Sequence, residues 1–173
     1  MKKSLLILIA ILVATIAFSA CSAGAKPLTV FLVRHVEDFD AGSDPKLTDA
    51  GVERAAALAR NLADAGIQRI HSSDYFRTRD TAAAAAADWN LEVELYDPRD
   101  LPALAAELVG SGGSHLVVGH SNTTPAMVGL LGGEPGPAIN EATEYDRLYI
   151  VTIGTDGSTS SVMLRYGKPY EPQ

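Results

Sequence analysis

Two histidines and two arginines stand where a chain could handle a phosphoryl group. Arg34 and His35 directly follow the apolar run Leu28–Val33, Arg77 comes shortly after Ser72 and Ser73, and His120 follows His115–Val118 through Gly119. A neutral imidazole is a good nucleophile near neutral pH. Guanidinium groups carry a rigid fork of donors that suits a dianionic phosphoryl group. A second imidazole can bind the transferring oxygens or give up a proton. Ser121 and Asn122 follow His120 at the start of a predicted helix. The N–H groups at that helix end favour an anion, so both residues are candidates for capping the helix or touching phosphate.

These side chains meet only if the intervening elements return each to the same place. Leu28–Val33 is a continuous apolar, β-branched run, the signal of a buried strand. A polar loop over 37–46 follows, and Thr48 is the predicted N-cap of a helix through Ala65. Ala55, Leu58, Ala59 and Leu62 fall on one face of that helix. The pattern then predicts strands at Ile67–Ile70, Leu91–Leu95 and His115–Val118. Helices are predicted at Tyr75–Asp88, Leu101–Val109 and from about Thr124 to Leu131. Leu148–Ile153 and Ser160–Arg165 flank Thr155-Asp156-Gly157 as a hairpin. The alternation predicts an α/β fold, a three-layer sandwich with a mostly parallel central sheet flanked by helices on both faces. In such sheets the working crevice lies beyond the carboxyl ends of the strands, where Arg34, His35, Ser72, Ser73 and His120 fall.

Four blocks of sequence resemble one family. Leu32-Val33-Arg34-His35-Val36-Glu37 resembles the Arg-His-Gly-Glu signature of the histidine phosphatase superfamily, which includes the cofactor-dependent phosphoglycerate mutases. Pro45-Lys46-Leu47-Thr48-Asp49-Ala50-Gly51 is similar to that family's helix start. Ser72-Ser73-Asp74-Tyr75-Phe76-Arg77-Thr78-Arg79-Asp80-Thr81-Ala82 is similar to its second-arginine segment, and Val117-Val118-Gly119-His120 to its second-histidine strand. The resemblance implies a compact, phosphoglycerate mutase-like fold of branch 1. It implies that His35 is the nucleophile and forms a phosphohistidine, and that Arg34, Arg77 and His120 bind the phosphoryl oxygens. It implies neither a metal nor a cofactor. The activity implied is hydrolysis of phosphomonoesters or phosphoramidates, on a small phosphorylated substrate or a phosphoprotein.

The sequence departs from the family pattern at Val36 for Gly, Asp74 for Pro and Thr78 for Ala, and Val36 is expected to add a side chain at the pocket rim. The general acid has no clear match. Asp97 is the first candidate, Glu37 the next and also a candidate for contacting substrate, and Asp100 a third. His71 and His115 are read as structural, and the four histidines lack a zinc-ligand pair at helical spacing. Three rivals stand beside the phosphatase reading: a phosphate-binding lipoprotein without turnover, a phosphoglycerate mutase, and a serine hydrolase using Ser121. The last lacks the final Gly of its motif and any later His.

The composition narrows the partners. The 173 residues carry 14 Lys+Arg against 21 Asp+Glu, a net charge of -7, with no basic run to track nucleic acid. Lys2 and Lys3 precede an apolar stretch from Leu5 to Phe18, about 14 residues where a membrane span needs roughly 20. Phe18-Ser19-Ala20-Cys21 resembles the bacterial lipobox, and Cys21 is the chain's one cysteine. The expected organisation is a lipoprotein signal peptide over 1–20, a tether over 21–26 and one phosphatase domain over 27–173. Lipidation at Cys21 would be the only membrane attachment. It would place the domain in the cell envelope, on the periplasmic face of the outer membrane in a Gram-negative host.

Overall fold

A computed structural model describes residues 25–39 and 42–169; the expected signal peptide and Cys21 lie outside them. The elements run β1 (Leu28–Arg34), α1 (Asp49–Asn61), β2 (Arg69–Ser73), α2 (Phe76–Trp89), β3 (Val93–Tyr96), α3 (Leu101–Ser111), β4 (Gly113–Gly119), α4 (Thr123–Leu130), β5 (Arg147–Ile153) and β6 (Thr159–Arg165). The six strands form one sheet in the order β3-β2-β4-β1-β5-β6. β3, β2, β4 and β1 are mutually parallel, while β5 runs antiparallel to β1 and closes the hairpin with β6.

β1 feeds a separate core on each face, as a two-residue side-chain period dictates. Leu28, Val30 and Leu32 pack with Leu104 and Leu108 of α3 and Met127 and Val128 of α4. Phe31 and Val33 pack on the other face with Leu58 and Ala59 of α1 and Ala82 and Ala85 of α2. This is the three-layer α/β sandwich that the alternation of elements predicts.

Two strand ends that build the site lie further toward the carboxyl side than the apolar pattern predicts. β2 was expected at Ile67–Ile70 but runs through Ser73, because its backbone pairs with β3 on one side and β4 on the other. Hydroxyl side chains at Ser72 and Ser73 hid that continuation from an apolar pattern. β4 likewise extends to Gly119, level with Arg34 of β1. Helix α1 starts as expected, with the Thr48 side chain accepting from the Gly51 N–H at 3.1 Å. It stops at Asn61, short of Ala65, and Leu62 caps it.

Candidate active site

The parallel strands β1, β2 and β4 end side by side, and the site is built on those ends. The His35 N–H donates to Gly119 O at 2.8 Å, joining the residue after β1 to the last residue of β4. The His35 ring is 4% exposed. Its Nδ1 lies 2.9 Å from Val36 O. A carbonyl only accepts, so Nδ1 carries the proton and Nε2 keeps its lone pair. Burial, followed by the neighbouring Arg34 charge, lowers the His35 pKa to about 3. The ring is therefore neutral across the physiological range, with one nucleophilic nitrogen.

His120 faces His35 edge-on, with ring centroids 5.6 Å apart. Its Nε2 lies 2.8 Å from Ser73 Oγ, which in turn donates to Thr78 Oγ1 or to the imidazole. Thr123 Oγ1 accepts from the His120 N–H at 2.9 Å. Burial, then Arg77 and Arg34, lowers the His120 pKa to about 4. Tyr96 closes this hydroxyl cluster by donating to Val118 O at 3.2 Å. Gly119 allows the crowding: a Cβ there would stand 2.8 Å from Thr123 Oγ1 and 3.0 Å from Tyr96 OH.

Two guanidinium groups flank the histidines, each against a tyrosine. Arg34 is 3% exposed and its guanidinium lies 4.1 Å from the Tyr145 ring centroid. Arg34 Nη1 donates to Glu141 O at 2.7 Å and Glu144 O at 3.2 Å, so the loop before β5 fixes its direction. Arg34 Nε is buried without a protein partner. An unsatisfied buried donor is unusual, and an anion would satisfy it. Arg77 lies 4.7 Å over the Tyr75 ring, with Asp44 Oδ1 at 3.6 Å and Asp38 Oδ2 at 3.9 Å. Asp44 also accepts from the Phe76 N–H at 2.8 Å, pinning the preceding loop to the start of α2. Two cations, two neutral imidazoles and a helix N-terminus thus converge where an oxyanion would sit.

The structure engages both leading acid candidates in other contacts. Glu37 is 8% exposed and turned toward α1, accepting from Arg54 Nε at 2.9 and 2.8 Å and from Arg54 Nη2 at 2.6 Å. Its carboxylate is engaged in a buried ion pair with Arg54. Asp97 is held by the Arg99 side chain and backbone N–H, which keep its carboxyl below the usual range and therefore ionised. Asp100 caps α3 through the Ala103 N–H at 3.2 Å. Val36 is fully buried rather than at the rim, its N–H donating to Thr81 Oγ1 at 3.1 Å. Ser121 is half-buried and Asn122 exposed, and Asn122 makes no side-chain cap to α4.

Sequence reasoning missed Asp38, Asp44, Tyr75 and Tyr145 as parts of the site. Tyr145 had no local signal, since it enters from a loop more than a hundred residues after Arg34. Asp44 stands beside a recognised block, one residue before Pro45, but only folding reveals its contact with Arg77. His71 and His115 are a buried pair: His115 Nε2 donates to Gly112 O at 2.8 Å, so its Nδ1 accepts from His71 Nε2 at 3.0 Å. Among the described residues one group could approach a cation, His71, Glu94 and Glu107, whose ligand atoms lie within 4.8 Å of one another. Arg69 already donates to both carboxylates there.

Comparison with known proteins agrees with this geometry. Residues 30–98, which contain Arg34, His35 and Arg77, match the model of the histidine phosphatase superfamily (branch 1). Over that segment the chain is similar to the histidine phosphatase superfamily. That likeness supports a phosphatase-type enzyme. Among solved structures, the protein histidine phosphatase SixA complexed with tungstate is similar at TM-score 0.64 and 22% identity, over 80% of this chain and 97% of that one. Phosphoglycerate mutase from Bacillus anthracis is similar at TM-score 0.64 and 14% identity, over 82% and 94%. A mycobacterial glucosyl-3-phosphoglycerate phosphatase is similar at TM-score 0.59 and 19% identity, over 82% and 99%. At these identities the likeness is one of fold. No curated protein matches the chain.

Proposed function

We propose that this protein hydrolyses phosphomonoesters or phosphoramidates through a phosphohistidine at His35. The observation that carries the reading is the fixed tautomer of His35: Nδ1–H is held by Val36 O, and Nε2 is left as a neutral nucleophile among Arg34, Arg77 and His120. The Nε2 lone pair forms the N–P bond, the P–O or P–N bond to the leaving group breaks, and its electrons depart with that group. Water then forms a new O–P bond, the N–P pair returns to Nε2, and a water proton passes to solvent. Arg34, Arg77 and His120 hold the equatorial oxygens, whose charge such a site must stabilise. The fold is shared with a phosphatase that binds tungstate, an oxyanion, which is consistent with an anion-binding role.

With Glu37 and Asp97 engaged elsewhere, the reading favours leaving groups that depart without a strong acid, such as an imidazole or an aryloxide. We infer further that the chain is lipidated at Cys21 and that its substrates are small envelope phosphates or phosphoproteins. No helix among the described residues is long and apolar enough to cross a membrane.

The test is turnover of an aryl phosphate by the detergent-solubilised full chain, with chelator present and with His35→Ala in parallel. Chelator-resistant turnover that disappears in His35→Ala supports the reading. A folded wild type that binds phosphate without turning over any ester or phosphoramidate supports the binding-only alternative instead.

A further inference from the structure

Resting on the phosphohistidine reading, we propose that Asp38 is the counter-charge of the phosphorylated nucleophile. It would act through His35 as a positioning residue rather than by touching substrate. Asp38 Oδ1 lies 3.9 Å from His35 Nδ1, and its Oδ2 lies 3.9 Å from Arg77 Nε. One carboxylate thus lies between the nucleophile and a phosphate-binding cation, with its side chain only 16% exposed. Its backbone is held firmly for a loop residue. Asp38 forms an antiparallel bridge with Leu47, and the flanking bonds are Phe39 N–H to Lys46 O at 3.0 Å and Thr48 N–H to Glu37 O at 3.0 Å.

The need for such a charge follows from the tautomer. Nδ1 keeps its proton because Val36 O accepts it, so forming the N–P bond at Nε2 leaves a positive charge on the ring. Burial and the nearby Arg34 and Arg77 oppose that charge, just as they oppose protonation of the free ring. The same surroundings that keep His35 nucleophilic would therefore penalise its phosphorylated form. A fixed negative charge about 4 Å from Nδ1 would offset part of that penalty, because Coulomb interactions are strong where water is scarce. The role is analogous to one part of that of a carboxylate behind a catalytic imidazole, stabilising the cationic ring; the other part, fixing the tautomer, belongs here to Val36 O. Here the carboxylate stands beyond hydrogen-bond range of Nδ1, so the expected effect is smaller than for a directly hydrogen-bonded pair.

The decisive comparison is between phosphorylation rate and oxyanion affinity in the full chain. In rapid-quench labelling with an aryl phosphate, Asp38→Asn should slow phosphorylation of His35 by about 10- to 100-fold. Inhibition by tungstate, which requires no charged imidazole, should be unchanged or tighter, since a carboxylate near the anion has gone. That retained affinity also shows the pocket still folded. Asp38→Glu restores the charge and should recover part of the rate. An Asp38→Asn protein that labels within about twofold of wild type overturns the inference and leaves the phosphohistidine reading standing. Equal losses of rate and tungstate affinity also overturn it, showing that Asp38 merely holds Arg77 in place. A wild type that turns over substrate without label on His35 overturns the phosphohistidine reading and this inference together.

Discussion

Glu37 offers the sharpest separation of structure from chemistry, because it stands two residues beyond the nucleophile in a family signature. The Glu37 and Arg54 side chains are 10% and 5% exposed, and three short contacts join them. Arg54 Nη1 donates a further bond to Tyr166 O at 2.9 Å, tying the pair to the segment after β6. Removing one partner of a buried, hydrogen-bonded ion pair costs about 3–5 kcal/mol, chiefly because the other charge is left uncompensated. Glu37→Gln keeps one acceptor oxygen, so the lower end, about 3 kcal/mol, is expected. For a domain of this size that corresponds to a fall of roughly 6–12 °C in Tm. Arg54→Met should cost a similar amount. The double substitution Glu37→Leu with Arg54→Met should cost much less than the sum, since no charge remains buried. Urea unfolding at pH 7 measures the stabilities, and aryl phosphate turnover at 25 °C measures the chemistry. The kcat of folded Glu37→Gln should stay within about threefold of wild type. A Glu37→Gln protein of wild-type stability with kcat reduced a hundredfold would refute the assignment and return Glu37 to the reacting groups.

Other consequences can be checked in the same preparations. Ser73→Ala removes the 2.8 Å partner of His120 Nε2 and should lower kcat/KM on the order of tenfold, the equivalent of one buried hydrogen bond; an unchanged kcat/KM would show that His120 needs no such support. Gly51→Ala sets a helix-propensity gain of about 1 kcal/mol against a Cβ placed 2.1 Å from Glu37 O. Backbone cannot yield cheaply there, so the clash should win by about 2–3 kcal/mol in urea unfolding, and a stabilised variant would contradict the close approach of α1 to the nucleophile loop. His35, His71 and His120 have folded-state pKa values of about 3, 4 and 4. The unfolded chain therefore takes up protons first as pH falls: stability is complete above about pH 7.5 and is lost toward pH 4, by about 5 kcal/mol between pH 7 and pH 5. Flat stability across that window would mean the three rings are far more hydrated than their burial indicates.

Much of this molecule is written in short-range pattern. The apolar run of β1 continues directly into Arg34 and His35, so strand and nucleophile are legible together. Thr48 and Gly51 announce the start of α1: one is its cap, the other the only residue small enough beneath Glu37 O. The alternation of strands and helices was enough to place Arg34, His35, Ser73 and His120 at one edge of a parallel sheet. Less was visible where polar residues continue a strand, as at Ser72 and Ser73, because periodicity registers burial only through apolar side chains.

The amino-acid sequence by itself determined the order of elements, the two-faced core and which four basic residues converge, since each depends on neighbours within a few positions or on a strand's carboxyl end. Only the tertiary structure decided what each acidic group does. Glu37 turned to Arg54, Asp97 to Arg99 and Asp100 to the end of α3, while Asp38 and Asp44 came to Arg77. A carboxylate's role is set by the cation or N–H it meets and by how little water surrounds it. Those partners lie anywhere from two to more than thirty residues away along the chain, and no local pattern chooses among them.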